Sequence, residues 1–559
     1  MLFILFCGSI IYADLYEIYI YHPDSLVYNW LRQSDIEPSI FEPDYKLGII
    51  GDEEIINEIK TLGYHYEIGS SQQDWIRDIP GYRDYGELTS ELETLTAAYP
   101  EITSLFSLGP SVCNSYYQTG YGNYQNYQHE VWCLKVSDNP EINEDEPNIY
   151  FAAAIHAREP ISLEVNMYIL NHLLANYNSD EDIAFWIDNT QIWFIPLMNP
   201  DGHKMVIDGT FTDHRKNLRD NNGNGLPNTN HIDGVDLNRN YGYVWGNNNA
   251  SSTPSSSTYH GPYAWSELET IYARDLIYSH KFMGGVTYHS SGQWVLYPLG
   301  HLPNVCSLDH QVMGDLAVQM ANTIPKRSSD GSQTGYYTPA QAVDFGYTCQ
   351  GTMGDWGYAE QRIFSFTIEL AWTFIPPSNY VNLICEDNLE AALIFLDRVH
   401  HSTVTGRISD AAGDPLLAEI YVEEVDFASG MTPVEPVRSD TTFGRYYRPL
   451  LPGSYTFTFC CEGYPDQTFE NVLVTAEEIS ILDVVFGTNY VEDVQIELTS
   501  SQVTLHWTPE QGFNYIVYSS SEPGGVFSPD LTGEFLEAST WVCPMLADKK
   551  FYRVEKISE

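Results

Sequence analysis

The stretch PNIYFAAAIHAREPISLEVNMYILNHLLANY, residues 147–177, decides the fold of this chain. Its first half is an almost unbroken apolar run, which predicts a buried strand over 148–155. Its second half carries an apolar residue at every fourth position: Ile161, Val165, Ile169 and Leu173. That period predicts a helix over 160–177 with one buried face, and Pro160 suits its first turn. A buried strand followed at once by a helix is typical of an α/β domain.

Further elements of the same kind follow along the chain. Three apolar segments predict more buried strands: IWFIPLMN (192–199), GGVTYH (284–289) and IFSFTIEL (363–370). Ser266 and Glu269 have the spacing of a capping box, which predicts a helix over 266–280. A closing helix is predicted over 386–399. We therefore expect an α/β domain over 76–401, with a mixed central sheet flanked by helices.

The segments on either side of this domain have a different character. Residues 14–75 combine the strand-like YEIYIYH and HYEIG with the helix-like DEEIINEIKTLGY, which predicts a small N-terminal α+β module. Such a module is either a removable propeptide or a permanent accessory domain, and the sequence favours neither. Short alternating strands separated by turn residues predict a β-sandwich over 402–487 and a short β-module over 488–559.

The first thirteen residues, MLFILFCGSIIYA, are almost wholly apolar and stand before Asp14. We interpret 1–13 as a signal peptide cut after Ala13, although no Lys or Arg precedes the apolar stretch. The alternative is a buried N-terminal strand. On the first interpretation the chain is secreted, to the periplasm or the extracellular space. Since no later run of 18 apolar residues occurs, we expect no membrane span.

The formal net charge is -50, from 76 acidic and 26 basic residues. Phosphate backbones repel such a surface, so nucleic acid is not expected as a partner. The chain has nine cysteines, of which Cys7 lies in the predicted signal peptide, and an even remainder permits disulfides in an exported protein. Cys113 and Cys133 flank a segment rich in Tyr, Asn and Gly, and they are the pair we predict. No cysteine stands in a CxxC motif, which disfavours a cysteine-based zinc site.

Four polar side chains stand at the ends of three predicted strands. Each follows its strand directly or within one turn: His156 and Glu159 after 148–155, His289 after 284–288, and Glu369 after 363–368. Ligands of α/β proteins gather at the carboxyl ends of strands, so we expect these side chains to converge. Two histidines and one carboxylate hold a catalytic zinc with an open position for water, and a second carboxylate can take the proton of that water. An HxxE triplet alone often arises by chance; the joint pattern indicates a zinc site with Glu369 as general base.

Arginines and an asparagine follow two further segments. GVDLNRNYG (234–242) contains Asn238 and Arg239, a pair that can grip a carboxylate through the guanidinium fork. HRKNLRD (214–220) contains Arg215 and Arg219, one of which can stabilise a developing oxyanion. The alternative is that these arginines form surface salt bridges. Because the chain has only 26 basic residues, three arginines within 25 positions favour a functional role over surface salt bridges.

The segments HAREP, DLNRN, YHSSGQ and FTIEL, in that order, resemble the zinc carboxypeptidase family that includes carboxypeptidases A, B and T. The resemblance covers roughly residues 80–400. It implies that His156, Glu159 and His289 bind zinc and that Glu369 is the general base. It also implies that Asn238 and Arg239 bind the substrate's terminal carboxylate. Tyr347 resembles the family's mobile tyrosine, which closes over the substrate. Because RKNLR does not align cleanly with the usual RKxR, the oxyanion residue is either Arg219, which we favour slightly, or Arg215.

The resemblance implies a secreted, monomeric metallocarboxypeptidase that uses zinc to release the C-terminal residue of peptides with a free C-terminus. Gly300, Thr352 and Gly354 stand at pocket positions where basic-selective members carry an acid, which predicts an apolar or broad preference; Asp344 and the overall charge argue the other way. The β-sandwich resembles transthyretin-like domains, and 488–559 resembles a shortened fibronectin type III module. Two rival hypotheses are a peptidoglycan peptidase or amidohydrolase on the same scaffold, and a catalytically silent binding protein.

One further motif concerns a second cation. DNNGNG, over Asp220–Gly225, matches the D-x-N-x-N-G opening of a calcium-binding loop, and its oxygens suit a hard cation. The twelfth position is His231 rather than glutamate, so Asp233 would have to substitute for it. The alternative, which we favour, is a polar turn without calcium.

Overall fold

A computed structural model describes most of the chain: residues 16–34, 38–42, 46–51, 53–71, 79–227, 232–246, 250–345, 348–487, 491, 493–509, 513–521, 528–537, 539–545 and 550–558. The predicted signal peptide over 1–13, Tyr347 and His231 lie outside these residues. Within them, an N-terminal α+β unit is followed by a larger α/β unit and then by β-sheets. The predicted fold class is confirmed.

The N-terminal unit is a four-stranded antiparallel sheet with two helices. Its elements are β1 (Tyr16–Tyr21), helix Ser25–Ser34, β2 (Pro38–Glu42), β3 (Lys46–Gly51), helix Glu53–Leu62 and β4 (Tyr66–Ser71). The strand order is β2-β3-β1-β4. Ile18 and Ile20 of β1, with Leu47 and Ile49 of β3, form a small core of its own. The sequence predicts β1, β4 and the second helix but misses β2, β3 and the first helix.

The large unit is built on an eight-stranded sheet with order β13-β10-β14-β9-β7-β8-β6-β5. Its strands are β5 (Thr103–Pro110), β6 (Glu130–Val136), β7 (Asn148–Ala153), β8 (Gln191–Ile195), β9 (Phe282–Ser290), β10 (Trp294–Tyr297), β13 (Thr338–Gln341) and β14 (Phe364–Leu370); β11 (Pro325–Arg327) and β12 (Gln333–Tyr336) form a separate hairpin. The four central strands, β14, β9, β7 and β8, run parallel to one another. The carboxyl ends of β7, β9 and β14 therefore lie side by side.

Helices cover both faces of this sheet. Their bounds are Tyr85–Ala98, Val112–Thr119, Pro160–Asn176, Glu181–Asp188, Pro200–Ile207, Leu268–Ser279, His310–Ala321, Met353–Gln361 and Val381–Arg398, with short 3-10 turns at Leu237–Arg239, Ala342–Phe345 and Ser378–Tyr380. Alternate residues of β7 face opposite sides: Phe151 lies in the core under the helices Pro160–Asn176 and Val381–Arg398, whereas Tyr150 lies in the core under Leu268–Ser279. The fully apolar run of β7 thus follows from burial on both faces.

The predicted capping box at Ser266 and Glu269 is wrong. The helix begins at Leu268, and its N-cap residue Glu267 makes no side-chain capping hydrogen bond. Ser266 Oγ instead donates to Glu267 Oε1 at 2.6 Å. The Glu269 carboxylate is drawn away to another element, where it accepts a hydrogen bond from the Val112 amide at 3.0 Å. A long-range contact has replaced the local one.

We expect Glu269→Gln to stabilise the protein at pH 9 but not at pH 5. Burial, helped by the nearby charges of Glu267 and Asp201, raises the pKa of Glu269 from its ordinary value near 4.5 to about 8. The folded state therefore keeps a proton that the unfolded chain releases, so stability falls as pH rises from about 4.5 to 8 and stays reduced above that. Glutamine cannot ionise and avoids this penalty, which is on the order of a few kcal/mol.

Thermal unfolding of the variant and the wild type at pH 5 and pH 9 measures this effect. Glu267→Gln is the matched control, because Glu267 is paired with Arg219 at 3.1 Å and its neutralisation should destabilise at both pH values. An equal change in Tm for Glu269→Gln at the two pH values would contradict the interpretation.

The predicted Cys113–Cys133 disulfide is absent. Cys113 and Cys133 are both unbridged thiols. Cys113 lies in a small apolar cluster around Tyr124, whereas Cys133 faces the sheet core beside Trp193. Proximity in sequence to the same Tyr-rich segment therefore does not bring the two sulfurs together.

Two further β-units follow the large domain. The first contains β15 (Thr403–Asp410), β16 (Ala418–Val422), helix Glu423–Asp426, β17 (Val437–Arg438), β18 (Arg445–Pro449), β19 (Gly453–Cys461), β20 (Gln467–Val474), β21 (Ile479–Ile481) and β22 (Val484–Phe486). These strands form two sheets around one core. The second contains β23 (Gln495–Leu498), β24 (Gln502–His506), β25 (Phe513–Ser520), β26 (Ser528–Pro529), β27 (Glu534–Glu537), β28 (Thr540–Pro544) and β29 (Phe551–Ser558). Among the described residues, no helix has the length and apolar character that a membrane crossing requires.

Candidate active site

The candidate site lies at the carboxyl ends of β7, β9 and β14. His156 follows β7, and Glu159 is the residue before the helix Pro160–Asn176. His289 lies near the end of β9, directly opposite Glu369 in the parallel register of β9 and β14. Since paired residues of neighbouring strands face the same side of a sheet, Glu369 and His289 project in the same direction. The structure thus brings together four residues from three separate segments.

His156, Glu159 and His289 form a compact, buried cluster, hereafter called the metal-ligand cluster because the sequence predicts these residues as zinc ligands. His156 Nδ1 lies 2.8 Å from Glu159 Oε1, and His289 Nδ1 lies 2.9 Å from Glu159 Oε2. The two Nδ1 atoms are 3.1 Å apart. Each of the three residues is at most 4% exposed. Burial opposes ionisation of Glu159, but the two imidazoles outweigh it and hold the pKa of this carboxyl well below its usual value.

The donor set of this cluster fits a zinc ion. Two imidazole nitrogens and a carboxylate within 4.8 Å of one another are the ligands of a catalytic zinc site that keeps one position open. The surroundings of His156 are consistent with this use. Asp236 Oδ1 lies 3.3 Å from His156 Nε2, so a carboxylate stands beside the ring nitrogen that faces away from the cluster, while Nδ1 faces Glu159.

Asp236 is a site residue for which the sequence indicates no role. It is fully buried and, besides His156, it contacts the Arg215 Nε at 2.9 Å and Arg239 at 3.9 Å. Burial raises its pKa, but these two guanidiniums prevail and hold the pKa well below the usual range. The acid two positions before Asn238, which opens the DLNRN segment, was the available signal. One ionised carboxylate therefore lies beside His156 and two arginines.

The slight preference for Arg219 as the oxyanion residue is not supported by the geometry. Arg219 Nη1 pairs with Glu267 Oε1 at 3.1 Å and donates to the Ser266 carbonyl at 3.3 Å. Arg215 instead lies with its Nη1 3.9 Å from Glu159 Oε1. The physical reason is a backbone hydrogen bond, in which the Ala157 amide donates to the Arg215 carbonyl at 3.0 Å and fixes this residue beside the cluster.

Asn238 and Arg239 occupy the 3-10 turn Leu237–Arg239 next to Asp236. Arg239 is 1% exposed, and its Nη1 donates to the Asn238 carbonyl at 2.9 Å. The Asn238 side-chain oxygen accepts a hydrogen bond from the Met353 amide at 2.9 Å. These two residues are therefore held close to the metal-ligand cluster, whereas the third residue predicted to contact substrate, Tyr347, lies outside the described residues.

Glu369 is partly buried at the end of β14. Burial lowers the pKa of His289, but hydrogen bonding and charge from Glu159, together with the charge of Glu369, raise it above its usual value. The Glu369 carboxylate is therefore within electrostatic reach of the cluster. A second carboxylate next to a His₂-carboxylate set is what acid–base chemistry at a zinc site requires.

The predicted pocket residues lie around the start of the helix Met353–Gln361. Thr352 caps this helix by accepting a hydrogen bond from the Asp355 amide at 3.2 Å, and the Gly300 amide donates to both Asp355 oxygens at 3.0 Å. A Cβ added at Gly354 would approach no atom closer than Thr367 Oγ1 at 3.8 Å. Space thus remains above Gly354, while Asp344 is exposed.

The candidate calcium loop at Asp220–Gly225 folds as a polar turn. Asp220 Oδ1 accepts a hydrogen bond from the Gly223 amide at 2.6 Å, and Oδ2 accepts one from the Gly225 amide at 2.7 Å and one from Tyr121 at 2.6 Å. Asp233 Oδ1 accepts from the Asn221 amide at 2.8 Å. Because amides and a hydroxyl use these oxygens, a calcium site is not supported here.

Comparisons with known proteins agree with this fold and site. The family model of zinc carboxypeptidases, peptidase family M14, matches residues 88–391. A zinc carboxypeptidase of Saccharothrix mutabilis subsp. capreolus is 27% identical over 312 residues, which are 53% of this chain and 64% of that protein. Carboxypeptidase B of Astacus astacus is 28% identical over 326 residues, 57% of this chain and 96% of that protein. The structure of carboxypeptidase A from Helicoverpa armigera shares the fold, with a TM-score of 0.57 and 21% identity over 70% of this chain and 98% of that one.

The segment that matches the family model is more than half of the chain and includes the buried cluster. The chain belongs to the zinc carboxypeptidase family, as the sequence predicts, and it is a metallocarboxypeptidase of the hydrolase class. Membership implies zinc as the metal and peptides as substrates. The match spans just under two thirds of the Saccharothrix protein's length, at 64%.

Proposed function

We propose that this protein is a zinc-dependent exopeptidase that hydrolyses the C-terminal peptide bond of peptides and proteins. The observation that carries the proposal is one buried arrangement. Asp236 contacts a histidine of the metal-ligand cluster on one side and Arg215 and Arg239 on the other. A site for metal-assisted hydrolysis and a site for a terminal carboxylate are thereby coupled through a single side chain.

In the proposed mechanism, Arg239 and Asn238 bind the terminal carboxylate of the substrate. The guanidinium fork matches both carboxylate oxygens, and Asn238 is held in place by the Met353 amide. This contact orients the last peptide bond towards the cluster. Arg215, next to Glu159, is placed to hydrogen-bond the carbonyl oxygen of that bond as negative charge develops on it.

His156, Glu159 and His289 are the residues that would hold zinc. When bound, zinc supplies a Lewis acid that polarises the carbonyl and lowers the pKa of water to about 7. Glu369 accepts a proton from the attacking water, whose oxygen forms a bond to the carbonyl carbon, and then delivers that proton to the nitrogen of the leaving residue. The bond between the carbonyl carbon and that nitrogen breaks, which yields a shortened peptide and a free amino acid.

The proposal extends to the side-chain preference, the location of the protein and the roles of the other segments. The open space above Gly354 supports an apolar or broad side-chain preference. Export to the periplasm or the extracellular space rests on the apolar segment 1–13. A propeptide or accessory role for 14–75, and stabilising or adhesive roles for 402–487 and 488–559, remain predictions, as does closure of Tyr347 over the substrate.

Hydrolysis of N-blocked dipeptides that end in Phe, Leu, Arg or Glu tests the proposal directly. We expect release of the last residue, fastest for Phe or Leu, and loss of that activity when a chelator removes zinc. Activity should return when zinc is added back, because the ligand side chains are held in position by protein contacts. The released amino acid and the zinc content are measured in the same samples. If zinc-containing protein releases no C-terminal residue, the proposal is contradicted, and a cell-wall peptide substrate or a binding role is favoured instead.

A further inference from the structure

The helix Met353–Gln361, hereafter the pocket helix, touches the substrate-binding residues with its first turn. The Met353 amide donates to Asn238, and the Gly351 carbonyl just before the helix accepts from the Tyr241 amide at 3.0 Å. A Cβ added at Gly351 would lie 2.5 Å from the Arg239 carbonyl oxygen, so the backbones are in close contact here. The position of the pocket helix therefore sets the position of the proposed carboxylate-binding pair.

The last turn of the pocket helix is held by the β-sandwich. Arg362 ends the helix in a left-handed conformation, with φ of 55°. Its Nη2 donates to Asp309 Oδ2 at 2.7 Å and to Asp426 Oδ1 at 3.2 Å. Arg448, on β18 of the sandwich, donates to the same Asp309 and, at 3.0 Å, to the same Asp426 oxygen.

These four residues form one closed ion network, here called the domain clamp: Asp309, Arg362, Asp426 and Arg448. Their side chains are at most 6% exposed, and that of Arg448 is completely buried. The two cations balance the two anions, so loss of either guanidinium would leave buried negative charge in excess. Backbone contacts reinforce the clamp, since the Glu435 amide donates to the Ala359 carbonyl at 2.8 Å.

The clamp and the substrate-binding pair lie at opposite ends of a rigid element. A helix of nine residues is about 13 Å long, and it transmits a displacement of one end to the other. The metal-ligand histidines, by contrast, stand at the ends of β7 and β9, and none of the four clamp residues lies on either strand.

We propose that Arg448 is a positioning residue for substrate binding: through the domain clamp, the β-sandwich sets the pocket helix and so the alignment of Asn238 and Arg239. The β-sandwich is then part of the substrate-binding apparatus. This inference rests on the proposed function, since it assigns a role in binding the substrate's terminal carboxylate. Loss of the clamp weakens substrate binding and leaves the chemical step and zinc binding largely intact.

Steady-state kinetics of the full-length Arg448→Met and Arg448→Lys variants test this role with the blocked dipeptide that ends in Phe. We expect Arg448→Met to raise KM about tenfold with kcat within about twofold of the wild type, because misalignment of a binding residue mainly costs affinity. Lysine keeps the charge but cannot bridge both carboxylates as a guanidinium does, so Arg448→Lys should give an intermediate KM. If Arg448→Met does not fold, the KM of Arg448→Lys tests the same role.

Arg445→Met is the matched control. Arg445 lies on the same strand and also pairs across the domain boundary, but its partner is Asp145, at 2.6 Å, and not a residue of the clamp. We expect its KM to equal that of the wild type. An unchanged KM in Arg448→Met, or an equal rise in Arg445→Met, would overturn the inference, and so would a fall in kcat alone.

Binding measured without turnover separates this inference from the proposed function. In the Glu369→Gln background, calorimetry gives the Kd of the same dipeptide with and without Arg448→Met. A dipeptide that binds about ten times more weakly to the double variant supports the positioning role. Equal Kd values overturn it. No binding by Glu369→Gln itself would instead count against the proposed function.

Discussion

Replacing Glu369 with glutamine is expected to lower kcat by roughly 10²–10⁴-fold, because the amide can no longer accept a proton from the attacking water. Glu369 lies opposite His289 in the register of β9 and β14, and its charge acts on that histidine. It is not one of the three clustered ligands, so zinc content should stay at one ion per chain. Turnover of the Phe dipeptide and metal analysis of the same preparation measure both effects.

The conservative control for this experiment is Glu369→Asp. Aspartate keeps the carboxylate but withdraws it by one methylene, so it should retain more activity than glutamine. Hydrolysis by Glu369→Gln at the wild-type rate would rule out the general-base role. Loss of zinc together with activity would instead indicate that Glu369 belongs to the metal site.

The second large effect is expected from Asp236→Asn. The substitution removes a buried charge that contacts His156, Arg215 and Arg239. An outer partner of a ligating histidine typically contributes about 10–100-fold to metal affinity. The two guanidiniums also lose their common anion. We therefore expect weaker zinc binding by about that factor and, at saturating zinc, a further fall in kcat/KM.

Competition with a coloured chelator measures the zinc affinity, and kcat/KM is then determined at saturating zinc. Asp220→Asn is the matched control, since it removes one aspartate charge from the nearby polar turn without touching the cluster. It should leave both quantities unchanged, and added calcium should have no effect on it or on the wild type. Wild-type zinc affinity in Asp236→Asn would show that His156 does not depend on this carboxylate.

Residues that depend on strand position could be predicted, whereas residues that depend on long-range contacts could not. His156, His289 and Glu369 each stand at the end of an apolar run, and parallel strands necessarily bring such ends together. The choice between Arg215 and Arg219 depends on a backbone hydrogen bond to Ala157, which two distant segments must fold to form. Local spacing carries no information about that contact.

The other errors have the same origin. Glu269 fits a capping box locally, but in the folded chain its carboxylate meets the Val112 amide. Asp220 has the right spacing for calcium, but backbone amides of its own turn use its oxygens. Asp236 stands in a motif that is easily noticed, yet its importance lies in the three partners it meets only in the folded state.

The pairing register between β9 and β14 constrains the sequence of the two strands more than the sequence of the segment that joins them. Residues 291–363 leave the end of one strand and return at the start of its neighbour, and they include the pocket helix. Insertions, deletions or exchanges in the loops of that excursion can diversify the molecules accepted while the paired strands keep Glu369 opposite His289. The strand β10 lies in the same excursion and pairs with β14, so it has to be kept. A single residue added inside either strand would turn the following side chains to the opposite face and end catalysis. The architecture therefore lets selectivity evolve independently of chemistry.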